Sequence, residues 1–419
     1  MTNNRIFEEA EDKLQEISDI WTNYIWNYRF CRRKINFKSD QKSNYFADIL
    51  GFFSDTFMIL EKPEKPSNFI DAFESTISFL QAIYLQQDFI EEYHYIFGTG
   101  INKGKLKNDE NYSINREIRN EVIGHPIRKT RVPTTNKESE SCKYCGRTSS
   151  TSKKEQVLLS STLFSNNTNS HQISYLKYHI NNDYKFTEEN HLRSEIKERH
   201  KRFLNVHFDI ILDKLKKVLI SFVSELLEIQ NIQYQISFDK LVGIVEQKFE
   251  HILETNYLYR RQHLVTLSSK VDKHQRYKIS LELFHGDLET FLNETIHIIN
   301  KILENHHTKS EKLMSNIVDK QISTTYVENY DAKSKNTEHP SYTYELGKLV
   351  SREQSTFDFF IKILKSRCEG MHLVLEEIEY LSASRNNEFE YYSSYIYLCY
   401  LLDNNSPESG SKQTRIHSD

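Results

Sequence analysis

The segment Glu117–Lys129, EIRNEVIGHPIRK, brings an arginine, an asparagine and a histidine close together in sequence, as Arg119, Asn120 and His125. An arginine guanidinium binds phosphate oxygens as a fork and keeps its charge at every relevant pH. A histidine can take and give a proton near neutrality. RNA cleavage by its own 2′-OH needs both functions and no metal, because a base removes the hydroxyl proton and a cation stabilises the doubly negative phosphorane. The expected products carry 2′,3′-cyclic phosphate and 5′-OH ends.

The residues in front of His125 predict a helix that stops just before it. Apolar side chains recur at four-residue steps on one helical face, at Ile114, Ile118 and Val122. Ser113 is the predicted N-cap of this helix. Gly124 is a common helix terminator, and the residue before Pro126 is pushed out of the α region. We therefore expect His125 just past the helix end, with its ring free to turn back toward Arg119.

The bare spacing of an arginine and a histidine is weakly specific. About two such matches are expected by chance in a chain of this composition. The same pattern recurs in or near long helical segments, at Arg193/His200, Arg202/His207 and Arg367/His372. For those pairs a structural role on a helix is the expected one.

The combination of a polar residue after the arginine, a helix stop before the histidine and four helices in front resembles the HEPN family. The signature of these small helical-bundle domains is Arg, a polar residue, a few further residues and His, matched here by RNEVIGH at Arg119, Asn120 and His125. The resemblance covers residues 5–130. It implies that His125 is the acid/base group, Arg119 the phosphate contact and Asn120 an orienting or substrate-contacting group. This chain departs from many members by having Pro126, not glycine, after the histidine.

The resemblance also implies a function and partners. Many HEPN domains are metal-independent ribonucleases of antiviral, abortive-infection or toxin–antitoxin systems, and they commonly form homodimers that place two motifs at a shared cleft. RNA is then the substrate, and an antitoxin or sensor protein is a further expected partner. Other members are catalytically inactive modules that bind RNA or protein. A third interpretation, independent of the family, is a helical scaffold in which Arg119 and His125 are structural.

An acidic residue from an earlier helix often supports the HEPN motif. The candidates in this chain are Asp48, Asp55, Asp71 and Glu74. The sequence does not choose among them.

Composition and periodicity predict a mainly α protein, since the 419 residues include only 11 Gly and 6 Pro. Two β-prone runs, QVLLSSTLF and ISYLKYHI, flank the turn-rich SNNTNS and predict a short β hairpin. The expected segments are a HEPN-like four-helix bundle at 1–130, a basic loop and hairpin at 131–187, a helical C-terminal domain at 188–402 and a disordered tail at 403–419. The Tyr-rich run FEYYSSYIYLCYLL is expected to pack in a core or interface, with base stacking as the alternative.

Charge and cysteine content indicate partners and compartment. Residues 101–155 carry thirteen Lys and Arg against seven Asp and Glu, a local charge of +6 in a chain whose net charge is -4. Such an excess suits a polyanion, with a solvated Lys-rich loop as an equal alternative. Five cysteines, no signal-peptide pattern and no long apolar run predict reduced thiols, a cytoplasmic location and no membrane association.

The pair Cys142 and Cys145, in CKYCG, is half of a zinc site. A second Cys-x-x-Cys pair is missing from the sequence, although His171 and His179 are close in sequence. We expect ordinary loop cysteines here and no resident cofactor or metal.

Overall fold

The computed structural model describes residues 5–36, 45–62, 68–133, 154–163, 171–179, 183, 185–256, 261–304, 342–350 and 352–404. The chain forms two compact units. The first consists of Met1–Ser18 and Ile35–Leu215, and the second of Asp19–Lys34 and Lys216–Asp419. The predicted segment boundaries stay predictions, and residues 405–419 of the predicted tail lie outside the described residues.

Helices dominate both units, which confirms the predicted mainly α class. They are α1 Glu8–Ile20, α2 Arg29–Arg32, α3 Tyr45–Glu61, α4 Phe69–Phe97, α5 Lys103–Leu106, α6 Glu110–Arg119, α7 Arg193–Ile232, α8 Phe238–Asn256, α9 Arg261–Lys270, α10 Gln275–Glu304, α11 Thr343–Leu349, α12 Gln354–Arg367, α13 His372–Ala383 and α14 Glu388–Asn404. Short π-helical turns follow α1 and α6, at Trp21–Ile25 and Asn120–Gly124, and a 3₁₀ turn follows α9 at Val271–Lys273. Within the described ranges, no helix has both the length and the apolar character that a bilayer-spanning segment requires.

The predicted hairpin is present and belongs to a larger sheet. Strands β2 (Lys154–Leu163) and β3 (Gln172–Tyr178) pair antiparallel, as expected. Strands β1 (Ile127–Pro133) and β4 (Phe186–Leu192) extend the hairpin to a four-stranded antiparallel sheet in the order β1-β2-β3-β4. The two outer strands were not predicted. Their sequences, IRKTRVP in β1 and FTEENHL in β4, are polar and lack the apolar run that indicated the inner pair.

Aromatic packing forms the core of the first unit. The ring of Phe53 on α3 lies 5.6 Å from Tyr93 on α4 and 5.7 Å from Phe208 on α7. Helix α4 begins where Asn68 Oδ1 accepts the backbone N–H of Asp71, and it ends at Gly98 in the left-handed conformation. Glycine adopts this conformation without steric cost, which makes Gly98 a suitable helix end.

Helix α6, which ends at Arg119, begins earlier than predicted. Asp109 is its N-cap, and Asp109 Oδ1 accepts the backbone N–H of Asn111 at 2.8 Å. The prediction of Ser113 as N-cap was wrong, because Ser113 lies inside the helix and its hydroxyl donates to Lys107 O at 2.6 Å. Aspartate and serine cap helices about equally well, so composition alone did not decide between them.

The second unit has its own core, formed by buried side chains of α11–α14. The Tyr-rich run belongs to it, as predicted: Tyr391 and Tyr395 are buried on α14, and their hydroxyls donate to Leu349 O and Leu346 O at 2.5 and 3.2 Å. A buried phenol needs such an acceptor. These two tyrosines are therefore packing residues.

Candidate functional site

The motif occupies the end of α6 and the π-helical turn that follows it. His125 N donates to Asn120 O at 2.7 Å, which is the i to i+5 hydrogen bond of a π turn. His125 itself has left the helix, with φ -141° and ψ 61°. The predicted helix stop at Gly124 is confirmed. Single π turns inside α-helical structure are frequent at functional sites.

Helix α6 is held on one side by α7. Asn115 is fully buried, its side-chain amide donates to Ile196 O at 3.0 Å, and its Oδ1 accepts from Arg199 Nε at 3.0 Å. Both polar ends of the amide are thus satisfied inside the unit. This contact fixes the rotation of α6, and with it the side from which Arg119 projects.

Helix α4 receives Arg119 on the other side. The guanidinium carbon lies 3.8 Å from the ring centre of Tyr84, and Nη2 donates to Gln81 Oε1 at 3.1 Å. Nη1 donates to Asn120 Oδ1 at 3.2 Å. Asn120 therefore holds the guanidinium of the arginine next to it.

The neighbouring Arg116 has a different environment. Its guanidinium carbon also lies over Tyr84, at 4.0 Å, but its Nη1 is 2.8 Å from Asp88 Oδ1. Among the described residues, no carboxylate lies within ion-pair distance of Arg119, whose partners are two amide oxygens and an aromatic ring. Within that part of the chain, the positive charge of Arg119 is therefore not neutralised.

Gly124 determines how closely the guanidinium approaches the turn. A Cβ added at Gly124 would overlap Arg119 Nη1 and would lie 3.2 Å from Asn120 Oδ1. The glycine has an ordinary negative φ, so space rather than backbone freedom explains it. Arg119 thus reaches forward to the residue that immediately precedes His125.

His125 is exposed at the end of the turn. Among the described residues its ring has no hydrogen bond, ion pair or ring contact, so the structure does not fix its orientation. The predicted acidic candidates lie on helices other than α6. Asp48, Asp55, Asp71 and Glu74 are exposed on α3 and α4, and none of them pairs with Arg119.

Glu121, the second residue of the π turn, was not predicted. It is 2% exposed and accepts hydrogen bonds from the Tyr175 hydroxyl at 2.8 Å and from Lys177 Nζ at 3.0 Å, with His179 Nδ1 3.7 Å away. Burial opposes its ionisation, but the hydrogen bonds from Lys177 and Tyr175 outweigh burial and lower the pKa of Glu121 below its ordinary value. The ionised carboxylate fastens the motif turn to strand β3. The sequence held no local sign of this, because the partners are more than fifty residues away.

No protein-family model matches this chain, and no curated protein or solved structure is significantly similar to it. The HEPN resemblance stays a prediction. Cys142 and Cys145 lie outside the described residues, and within the described part of the chain no group of three or more His, Cys, Asp or Glu side chains is arranged to hold a metal ion.

Proposed function

We propose that the chain is a metal-independent endoribonuclease whose site is formed by Arg119, Asn120 and His125. His125 transfers protons, Arg119 binds the scissile phosphate, and Asn120 orients the guanidinium. The reaction is attack of the RNA 2′-OH on the adjacent phosphorus, with release of the 5′-oxygen. Its products are a 2′,3′-cyclic phosphate and a 5′-OH.

The observation that carries this proposal is the environment of Arg119. A half-buried cation normally gains a carboxylate partner, as Arg116 does with Asp88. Arg119 has neutral partners instead, and they hold its guanidinium plane in place without cancelling its charge. A preorganised, uncompensated cation is suited to a phosphate and to the charge that develops on it during cleavage.

The exposed position of His125 supports the same function. A group that must exchange protons with a substrate has to be reachable, and His125 follows directly on the residue against which Arg119 packs. A phosphate bound to Arg119 would therefore place its ester oxygens near the imidazole.

The wider biological setting is part of the proposal. We infer that two copies of the chain associate through the helical bundle, that the enzyme acts in antiviral defence or as a toxin, and that an antitoxin or sensor protein controls it in the cytoplasm. A second candidate function, a catalytically silent module that binds RNA or protein, is favoured by the absence of any described side chain that orients the ring of His125.

The test is cleavage of total cellular RNA by the purified full-length protein in EDTA, with wild type beside His125→Ala. We expect cleavage by wild type alone, with cyclic phosphate and 5′-OH ends, and similar thermal unfolding of both proteins because His125 is exposed. His171→Ala, a change at another exposed histidine of the same unit, is the control and should cleave like wild type. Absence of cleavage by a folded dimer, together with RNA binding that Arg119→Ala weakens, would instead support the silent module.

A further inference from the structure

The sheet presents one face to the motif turn, and the strand register defines which residues share it. Ile173 pairs with His191, and Tyr175 pairs with Glu189. Side chains directly opposite each other on antiparallel strands point to the same face, as do alternate residues of one strand. Because Tyr175 contacts Glu121 of the π turn, His191 lies on the sheet face that meets the motif.

A chain of contacts leads from the motif turn to His191. The Tyr175 hydroxyl donates to Glu121 Oε2 at 2.8 Å, and His191 Nε2 lies 3.5 Å from the same hydroxyl oxygen. The rings of Tyr175 and His191 stack with centres 5.8 Å apart and planes 24° from parallel. The imidazole is thus held flat against the tyrosine and is half-buried.

The contacts from Glu121 through Tyr175 to His191 define the tautomer of His191. The ionised carboxylate of Glu121 can only accept, so the single hydroxyl proton of Tyr175 points toward it. The tyrosine oxygen can then only accept from His191, which places the imidazole proton on Nε2 and leaves Nδ1 as the free base. Fixing a histidine tautomer through the opposite ring nitrogen is how proteins prepare an imidazole for proton transfer.

The charges around His191 come from three elements. Glu189 lies on its own strand, Glu121 in the π turn, and Glu195 and Arg199 on α7. Burial lowers the pKa of His191 and outweighs the opposing effect of the nearby carboxylates. The imidazole is therefore predominantly neutral at pH 7, as a general base must be.

We propose that His191 is the second proton-transfer group of the RNA-cleaving site, with Nδ1 accepting the proton of the attacking 2′-OH while His125 protonates the leaving 5′-oxygen. This inference rests on the proposed ribonuclease function. The 2′-oxygen forms a bond to phosphorus, and the bond from phosphorus to the 5′-oxygen breaks. The proton of the 2′-OH moves to Nδ1 of His191, and the imidazolium of His125 gives its proton to the 5′-oxygen. Water then returns both histidines to their starting protonation states.

The proposal addresses a chemical need of the motif. Transesterification requires one proton to be removed and another to be supplied, and a lone histidine cannot do both in the same step. Glu121 and Tyr175 are positioning residues in this scheme, since they hold His191 and do not touch the substrate.

The experiment compares wild type, His191→Gln and His125→Gln on two RNA oligonucleotides in EDTA. One has an ordinary linkage, and the other has a sulfur in place of the 5′-bridging oxygen, so that its thiolate leaves without a proton. On the ordinary linkage we expect each variant to lose roughly 10²-fold or more in rate at pH 7. On the sulfur linkage we expect His125→Gln to recover most of its rate and His191→Gln to stay slow.

A pH profile adds a readout that a purely structural role would not change. Wild-type cleavage should rise with pH on the acidic side as His191 loses its proton, and His191→Gln should lack this rise. His171→Gln, at an exposed position of the same unit, should keep the full wild-type profile. If wild type cleaves and His191→Gln matches it on both linkages, the role of His191 is refuted while the ribonuclease proposal stands. If wild type cleaves neither the oligonucleotides nor total RNA, both proposals fall.

Discussion

The buried His200 allows a quantitative test of how burial of an ionisable group affects the stability of the first unit. Its Nε2 lies 2.7 Å from Gln86 Oε1, and Gln86 Nε2 donates to Thr56 Oγ1 at 2.9 Å, so Nε2 of His200 carries the ring proton. Nδ1 has no hydrogen-bond partner among the described groups. The ring centre of His200 lies 6.0 Å from that of Phe7 and 5.9 Å from that of Phe203. A second proton would create a buried charge without an acceptor, and burial accordingly lowers the pKa of His200 to about 3.

The sign and size of the effect follow from the two pKa values. Histidine in an unfolded chain titrates near pH 6.5, so between that pH and about 3 the unfolded state holds a proton that the folded state lacks. The contribution of His200 to the free energy of unfolding is therefore fully present above pH 6.5. It falls as the pH decreases through this window, by about 1.4 kcal/mol per pH unit. Going from pH 7.5 to pH 5 removes about 2 kcal/mol through His200 alone. His94, whose pKa is lowered to about 3 by burial and by the neighbouring His207, acts in the same direction.

His200→Gln is the informative change, because glutamine keeps an N–H donor for Gln86 and does not titrate. We would measure urea unfolding by far-UV circular dichroism at pH 7.5 and pH 5 and compare the loss of unfolding free energy between the two conditions. The variant should lose about 2 kcal/mol less than wild type over this interval, whatever its absolute stability. His171→Gln removes an exposed histidine and should lose as much as wild type.

Equal losses in wild type and His200→Gln would refute the reasoning. They would mean that the folded protein accommodates a charged imidazole at position 200 at little cost, which requires water or a counter-ion beside Nδ1. A variant that lost more stability than wild type would be equally incompatible with a buried neutral histidine.

Two further predictions concern Arg119. Gly124→Ala should displace the guanidinium of Arg119, because the new Cβ would overlap Nη1. RNA cleavage should then fall about tenfold or more, with thermal unfolding nearly unchanged. The control is Gly51→Ala, where the added Cβ meets no atom within 4 Å, and it should cleave normally. Gln81→Glu should place a carboxylate where an amide oxygen now accepts from Nη2 at 3.1 Å, so cleavage should fall about tenfold in a filter or gel assay while stability is unchanged or up to about 1 kcal/mol higher.

Local sequence signals predicted the parts of the fold that depend on local physics. The stop at Gly124 follows from backbone preferences, and the inner hairpin follows from two apolar runs around a turn. Strands β1 and β4 form because β2 and β3 offer them hydrogen-bonding edges, and that partnership is not written in their own composition.

The site shows the same division between local and distant information. The sequence predicted a helix that stops at Gly124 and a histidine just past it, and the structure shows both, with Arg119 at the end of α6 and His125 exposed beyond the π turn. The residues that fix them come from elsewhere in the chain: Tyr84 from α4 and Tyr175 from β3. The sequence does not single out Tyr84, because an apolar pattern on a helix cannot distinguish a ring packed in the core from one that stacks on a guanidinium.

Arg116 and Arg119 illustrate why geometry is needed to find the functional charge. They lie three positions apart on one face of α6, so the sequence alone does not distinguish them. In the structure both guanidinium groups lie over the ring of Tyr84. The pairings show that α4 and α6 run antiparallel at this contact: Arg116 meets Asp88, and Arg119 meets Gln81, nearer the start of α4. One turn along α6 thus separates a neutralised arginine from one whose partners, among the residues that the structure describes, are all neutral. Leaving a half-buried cation without a carboxylate costs stability, and a fold retains such a cost chiefly where an anionic ligand completes the pairing.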